Sequence, residues 1–83
     1  MDEIYSTLSA VFKKLFEDDS IQVTAITTAN DVDGWDSLSH SLLILSIEKR
    51  FKIIFTQKEI FGFKNVGDMA ECIFRKISEF NGH

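Results

Sequence analysis

Apolar residues recur at helical spacing in three long segments of the chain, and polar stretches separate these segments. The spacing predicts a first helix over about residues 3–17, a second over about 37–51 and a third that ends near residue 80. The apolar face of the first helix is formed by Ile4, Tyr5, Leu8, Val11, Phe12, Leu15 and Phe16. The apolar face of the last helix is formed by Met69, Ala70, Ile73, Phe74, Ile77 and Phe80.

Signals for helix starts add a short helix between the second and the last. The segment Thr56-Gln57-Lys58-Glu59 has the form of a capping box, which predicts a helix over about 57–61. Asn65 is the predicted N-cap of the last helix. Proline is absent and glycine occurs four times, so few residues can break helices. The predicted fold is therefore all-α: a small four-helix bundle, with three longer helices, a short third helix and a long first loop, forming one domain over residues 1–83.

The long first loop covers residues 20–36, SIQVTAITTANDVDGWD, and shows no clear period. A loop of this length is uncommon unless it is functional or tied down, so we expect its scattered apolar residues to pin it to the core. These residues are Ile21, Val23, Ile26 and Val32. The alternation of Ile21 and Val23 also fits a short strand, although no second strand is evident to pair with it.

The second helix has apolar residues on two opposite sides when successive residues are placed 100° apart. One arc contains His40, Leu43, Ile44, Ile47 and Phe51, and we expect this arc to face the core. The opposite arc contains Leu38, Leu42 and Leu45. Clustered exposed leucines would indicate a partner surface, whereas the alternative is a central helix that is buried all round.

Charge and length narrow the class of protein. The formal net charge of −4 argues against binding to nucleic acid or to an anionic membrane surface. No apolar run approaches the roughly 20 residues of a membrane span. A chain of 83 residues also leaves little room for a deep cleft of the usual ligand-pocket size, roughly 300–1,000 Å³. A carrier, binding or interaction module is favoured over an enzyme.

The compartment is predicted from the cysteine content and the N-terminal segment. Cys72 is the single cysteine, which suits a reducing compartment and a packing role for that side chain. The segment MDEIYSTLSA lacks the basic start and apolar centre of a signal peptide. We expect a cytoplasmic protein that acts as a monomer.

Ser37 begins the second helix, inside the segment Asp36-Ser37-Leu38. Either Asp36 or Ser37 can cap that helix, because both side chains carry an oxygen that accepts from free backbone amides. The free amides and the positive end of the helix dipole also favour an anion, so a phosphate esterified to Ser37 would be stabilised. Capping and carrying a phosphate are compatible roles for this pair.

Other chemistries fit the residues less well. Ser37 and His40 are three positions apart, but a serine hydrolase also needs an orienting acid and the nucleophile-elbow spacing. His40 is expected to pack at the core edge, with a place near a phosphate on Ser37 as the alternative. The acidic residues of the first loop, Asp31, Asp33 and Asp36, do not follow the calcium-loop pattern. Cysteine and histidine are too few and too scattered for structural zinc, so no metal site is predicted.

At Ser37 the sequence resembles a known family. The segment GWDSLSHSLLILSIEKRF is similar to the phosphopantetheine attachment segment of acyl carrier proteins, in its Asp36-Ser37-Leu38 motif, its apolar helix and its closing Phe51. The segment FKNVGDMAECI, residues 63–73, is similar to the start of the family's last helix. The pattern of helices and loop matches the family over essentially the whole chain.

The resemblance implies a non-catalytic carrier. Ser37 would be esterified to 4′-phosphopantetheine by a phosphopantetheinyl transferase, with coenzyme A as the donor, and the arm would carry acyl intermediates as thioesters to partner enzymes. Asp36 and Leu38 match motif positions that the transferase and other partners recognise. The implied partner face contains Leu38, Leu42 and Leu45, and the implied acyl channel lies near Leu43, Ile44 and Ile47. Trp35 either anchors the loop or contacts partners.

One departure from the family bears on the pathway. The second helix of carriers for fatty acid synthesis is usually rich in acids, whereas Glu48 is the only acid here between Ser37 and Phe51. Fatty acid, polyketide and other secondary-metabolite, lipid-modification and surface-polysaccharide synthesis all remain open. An aminoacyl or peptidyl carrier is an alternative, although the usual double glycine before the serine is missing. A further alternative is an unmodified helical interaction domain that uses Leu38, Leu42 and Leu45.

Overall fold

The computed structural model describes the backbone of residues 2–81 and the side chains of residues 2–78. Its α-helices are α1 (Asp2–Phe16), α2 (Ser37–Phe51), α3 (Gln57–Gly62) and α4 (Val66–Asn81). A short 3-10 helix, Ala29–Asp31, lies in the loop between α1 and α2. The predicted all-α fold with a short third helix is confirmed. Within the described range no residue is in a strand, so the strand interpretation of Ile21 and Val23 is wrong.

The core lies where α1, α2 and α4 meet. Its completely buried side chains are supplied by all three helices, and they include Leu8, Phe12, Leu43, Ile47, Val66 and Ile73. The predicted core arc of α2 is confirmed for Leu43, Ile44 and Ile47, and Phe51 is half-buried against the same core.

One residue of the predicted apolar face of α4 does not reach the core. Phe74 is 49% exposed. It lies one residue after the buried Ile73, and this step turns it about 100° around the helix to the margin of the buried face. The side chain of Phe80, predicted for the same face, lies outside the described residues.

The first loop is held to the helices by both side chains and backbone. Val23 and Val32 are buried and Ile21 packs against the core, as predicted. Ile26 is 82% exposed, so the prediction that it fixes the loop to the core is wrong. The buried Val23 amide donates to Ser9 Oγ of α1 at 3.1 Å. A buried amide without such an acceptor would cost about 1–3 kcal/mol, so this bond fixes where the loop crosses α1.

The first turn of α4 holds the next part of the loop. The Val66 amide donates to the Thr27 carbonyl at 2.8 Å, and the Gly67 amide donates to the Ala25 carbonyl at 3.0 Å. A Cβ atom at position 67 would lie only 2.7 Å from the Ala25 oxygen, so this close approach requires glycine. α1 and α4 therefore hold the long loop at three of its backbone groups, the Val23 amide and the carbonyls of Ala25 and Thr27.

The connection from α2 to α3 places α3 beside α2. Lys52 ends α2 in a left-handed conformation, φ 58°, and its amide donates to the Glu48 carbonyl. Glu48 also accepts a 2.8 Å bond from the Phe55 amide through Oε2. The predicted capping box of α3 is present, because Thr56 Oγ1 and the Glu59 carboxylate each accept a backbone amide of the other residue.

Polar contacts also tie α3 to α4. Glu59 pairs with Lys76 at 2.9 Å and accepts a 3.4 Å bond from Cys72 Sγ. The Thr56 amide, followed by the Lys76 ammonium, lowers the pKa of Glu59 to about 2. Burial raises the pKa of the Cys72 thiol to about 11, which keeps it protonated and suits the predicted packing role.

Candidate functional site

The start of α2 is shaped by the turn that precedes it. Gly34 has φ +87°, a left-handed conformation that glycine adopts without strain. The Gly34 carbonyl accepts a 2.7 Å bond from Ser39 Oγ, which folds the loop back onto the first turn of the helix. Asp36 follows in an extended conformation, and its Oδ1 accepts the Ser39 amide at 2.9 Å. Asp36 is therefore the N-cap.

Because Asp36 caps the helix, the hydroxyl of Ser37 is not used for capping. Ser37 is the first residue of α2 and is exposed. No hydrogen bond within the described part of the chain involves its Oγ or its backbone amide, while its carbonyl accepts from Ser41 Oγ at 3.3 Å. The Ser39 backbone amide and hydroxyl lower the pKa of Asp36, so a carboxylate stands beside the free hydroxyl at neutral pH.

Trp35 anchors the loop directly before this serine. Its ring meets Phe12 of α1 edge to face, with centroids 5.2 Å apart, and the Phe16 centroid lies at 6.5 Å. The side chain is half-buried, which agrees with the packing interpretation. Contact with partners stays a prediction.

Trp35 is also bonded to His40. The indole Nε1–H donates to His40 Nδ1 at 3.1 Å, and the two ring planes lie within 17° of parallel. His40 is half-buried at the core edge, and burial lowers its pKa. The bond joins residues five apart across a helix start. The sequence pattern does not indicate this bond, because neither helical nor strand periodicity brings such residues together.

A groove of about 750 Å³ opens between α2 and α3, and Ser37 lies on its wall. Its volume falls within the usual ligand-pocket range of roughly 300–1,000 Å³, but it is an open surface groove rather than the deep cleft for which so short a chain was expected to have little room. The space lies between helices at the surface, so it takes no volume from the core. Apolar side chains of the groove come from α2, α3, α4 and the connections, including Ile44, Leu45, Ile60, Phe63 and Met69.

The residues named for an acyl channel divide between this groove and the core. Ile44 lines the groove, whereas Leu43 and Ile47 are completely buried and are absent from its lining. Leu45, named for the partner face, lines the groove as well. A role in holding an acyl chain stays a prediction for all three named positions.

The second apolar arc of α2 is exposed, as predicted. Leu38 is 73%, Leu42 46% and Leu45 54% exposed, so the alternative of a helix buried all round is wrong. Across the groove Phe61 of α3 is also exposed. The apolar surface therefore starts beside Ser37, follows α2 and continues onto α3.

Neither a metal-binding cluster nor a membrane-spanning helix occurs among the described residues. Within residues 2–78 no group of three or more histidine, cysteine, aspartate or glutamate side chains is placed to hold a metal ion. Asp31 instead closes the short 3-10 turn by accepting the Thr28 amide at 2.9 Å. None of the described helices combines the length and apolar character that crossing a membrane requires.

Comparison with known proteins identifies the family. A helical bundle that presents a free serine hydroxyl beside a groove and an apolar helix face has the features of a carrier domain. No protein-family profile and no curated protein match the chain. A solved structure does: the solution NMR structure of the holo acyl carrier protein from Geobacter metallireducens, with a TM-score of 0.88 and 44% sequence identity, over 95% of this chain and 91% of that one. The chain belongs to the acyl carrier protein family, and its role is that of a carrier.

Proposed function

We propose that Ser37 is the attachment site of a 4′-phosphopantetheine arm. One observation carries the proposal: Asp36 caps α2, which leaves the Ser37 hydroxyl exposed and without a hydrogen bond among the described residues. The solved relative is a holo acyl carrier protein, which is consistent with a prosthetic group on this chain.

The residues around Ser37 suit an esterified phosphate. The Ser37 amide has no acceptor within the described part of the chain, and it lies at the positive end of the α2 dipole. The groove beside it offers an apolar surface for what the arm carries. When attached, the arm would supply a thiol that holds an acyl group as a thioester. The chain's own residues would present the arm and bind partners without catalysing a reaction.

Recognition by other enzymes is assigned to the exposed side of α2. Asp36 and Leu38 flank Ser37, where a phosphopantetheinyl transferase must approach, and Leu42 and Leu45 continue the same surface. Acyl-loading and acyl-transferring enzymes would use this surface in turn. Ile44 and Leu45 would contact a short acyl chain in the groove, with Leu43 and Ile47 in the core behind them.

The same surface favours a specialised pathway over general fatty acid synthesis. Glu48 is the only acid in α2, and its carboxylate is engaged by the Phe55 amide at 2.8 Å. Lys49 and Arg50 are exposed one turn beyond Leu45. Partners that bind through leucines and meet cations fit α2 better than partners with basic patches. We propose the cytoplasm as the compartment, since the single cysteine suits reducing conditions.

Intact-mass measurement tests the attachment. The purified protein is incubated with coenzyme A and a broad-specificity phosphopantetheinyl transferase, and we expect a mass increase of one phosphopantetheine. Ser37→Ala should abolish the increase. Ser41→Ala is the matched control, because it removes a hydroxyl one turn further along α2 and should leave the increase intact.

Two outcomes would contradict the proposal. A wild-type mass that never changes would favour an unmodified interaction domain. A Ser37→Ala protein that is folded by circular dichroism and still gains the mass would place the arm elsewhere. If the arm is attached at Ser37, mass spectrometry of the thioester-bound group on protein from its native cell distinguishes acyl from aminoacyl cargo.

A further inference from the structure

The tautomer of His40 is set by its bond to Trp35. An indole nitrogen carries a hydrogen and can only donate, so His40 Nδ1 must be the acceptor in the 3.1 Å bond. In the neutral ring the hydrogen then lies on Nε2. His40 therefore presents one defined donor, Nε2–H, on the side of the ring away from Trp35.

The ring orientation is fixed as well as the tautomer. Trp35 is packed against Phe12 and Phe16 of α1, so the group that holds His40 is itself held by the core. Among the described residues no acceptor is bonded to His40 Nε2. A donor that is fixed in place without a protein acceptor is available to a ligand.

The position of this donor relates it to Ser37. The two residues are three apart on α2, so their side chains are neighbours on the helix surface, with Cβ atoms roughly 5–6 Å apart. Both line the groove between α2 and α3. Ser41 also lies on this wall, and its hydroxyl is bonded to the Ser37 carbonyl at 3.3 Å. Among the α2 side chains that follow Ser37 on this wall, His40 therefore carries the free donor hydrogen.

We propose that His40 holds the base of the prosthetic arm, by donating a hydrogen bond from Nε2–H to a phosphodiester oxygen of the group on Ser37. This inference rests on the attachment proposed above. The contact would direct the arm along the groove wall, and Trp35 would act through His40 as a positioning residue.

Charges around His40 make the contact measurable by titration. The charged side chains that share the groove with it are Asp36, Glu48 and Lys64, while Phe12 and Phe16 of α1 carry no charge. Asp36 accepts the Ser39 amide and Glu48 accepts the Phe55 amide, so both carboxylates are engaged in the apo protein. In the apo protein burial lowers the pKa of His40. A phosphodiester anion at Nε2 favours the charged ring, so the pKa of His40 should be higher in the holo protein.

The test compares apo and holo protein by nuclear magnetic resonance with nitrogen-15-labelled histidine. In the apo protein we expect His40 to give one neutral tautomer with the hydrogen on Nε2. Attachment of the arm should shift the Nε2 resonance and raise the pKa of His40. The phosphorus-31 signal of the arm should change with pH through the same titration.

Variants separate the contact from packing. In holo His40→Leu the phosphorus signal should lose its pH dependence over the range in which His40 titrates. His40→Gln keeps an N–H donor without a titrating group, so the ordering of the arm measured by relaxation should be retained in His40→Gln and lost in His40→Leu. Trp35→Phe removes the indole donor, and both neutral tautomers of His40 should then appear. His83 is the internal control, since it is the only other histidine and lies at the far end of the chain sequence.

Failure of this inference is distinguishable from failure of the attachment proposal. If the mass does not increase, no arm is attached and the attachment proposal is wrong. If the mass increases while the pKa and Nε2 shift of His40 are the same in apo and holo protein, the contact is wrong and the attachment stands. The wild-type comparison needs no variant, so it remains decisive even if a substitution at position 40 prevents folding.

Discussion

α2 and α4 each begin behind an N-cap side chain, but their first turns are used differently. In α4 the amides of Val66, Gly67 and Asp68 are all bonded within the fold, to Thr27, Ala25 and the Asn65 side chain. In α2 the cap bonds the Ser39 amide, and the Ser37 amide and hydroxyl have no partner within the described range.

The two helices also differ in which of their faces the fold buries. α4 buries one face and fastens the first loop, so its residues mainly support the structure. α2 buries one arc and exposes another that starts beside Ser37. The first turn of α2 therefore keeps donors free that the first turn of α4 uses to hold the loop. Substitutions that act on one helix and not the other test this difference.

The largest expected effect contrasts the buried face of α4 with the exposed face of α2. Ile73 is completely buried, so Ile73→Ala should lower the free energy of unfolding by about 3 kcal/mol through lost burial and a cavity. Leu42→Ala should change it by less than about 0.5 kcal/mol. Urea denaturation of both variants measures the difference. If the two variants lose similar free energies of unfolding, Leu42 supports the fold, and the exposed arc of α2 is not a surface free for partners.

The next effect concerns the close approach of α4 to the loop. Gly67→Ala places a Cβ 2.7 Å from the Ala25 oxygen, and we expect a loss of about 2 kcal/mol because backbone atoms must shift. Gly62→Ala is the matched control, since nothing lies within 4 Å of its added Cβ. The control should be neutral or stabilising by up to about 1 kcal/mol. Thermal unfolding distinguishes the two variants. Equal melting temperatures would mean that the loop can move away from position 67 without loss of stability.

Removal of each N-cap separates the roles of the two helix starts. Asn65→Ala and Asp36→Ala each remove the acceptor of one first-turn amide, so each should lower the free energy of unfolding, by about 1 kcal/mol for Asn65→Ala. Asp36→Ala should also slow attachment of phosphopantetheine, whereas Asn65→Ala should leave that rate unchanged. The measurements are urea denaturation and a time course of intact mass. Equal modification rates in the two variants would contradict a special role for the start of α2.

The smallest effect concerns the ion pair that fastens α4 to α3. The pKa of Glu59 is lowered from 4.5 to about 2 in the folded protein, so the unfolded chain binds this proton first as the pH falls. The stabilisation is complete above about pH 4.5 and is lost as the pH approaches 2. Glu59→Gln keeps an acceptor for the cap, so the loss at neutral pH should stay below about 1 kcal/mol and disappear at about pH 2.

Unfolding at several pH values checks the Glu59 prediction, with Glu71→Gln as the control. Glu71 is an exposed carboxylate on the same helix as Lys76. If the free energy of unfolding that Glu59→Gln loses relative to the wild type does not change with pH, the substitution removes packing rather than a charge interaction.

Local signals in the sequence predicted most of the architecture. The capping box at Thr56 and the cap at Asn65 placed the starts of α3 and α4, because each depends on residues only three apart. Periodicity separated Leu43 from Leu42, since the turn angle of a helix is constant. The motif around Ser37 and the helix pattern together indicated the family.

Contacts between distant segments were not predictable from these signals. The Ala25–Gly67 and Ser9–Val23 bonds depend on how the helices pack. The groove was missed for the same reason, since its volume depends on the spacing of α2 and α3 rather than on either sequence alone. The Trp35–His40 bond joins residues only five apart, but it crosses a helix start, which periodicity does not cover. Periodicity also placed Phe74 inside although it lies at the margin of its face.

The two backbone bonds between α4 and the first loop determine where the chain tolerates added sequence. Ile26 is one of the most exposed apolar residues, yet the carbonyls of its neighbours Ala25 and Thr27 are both bonded to α4. A peptide tag inserted beside Ile26 would break those bonds. The turn at Asp18–Ser20 is exposed and makes bonds only to nearby residues. An epitope or fluorophore placed there would label the chain without breaking the bonds that join the first loop to α4.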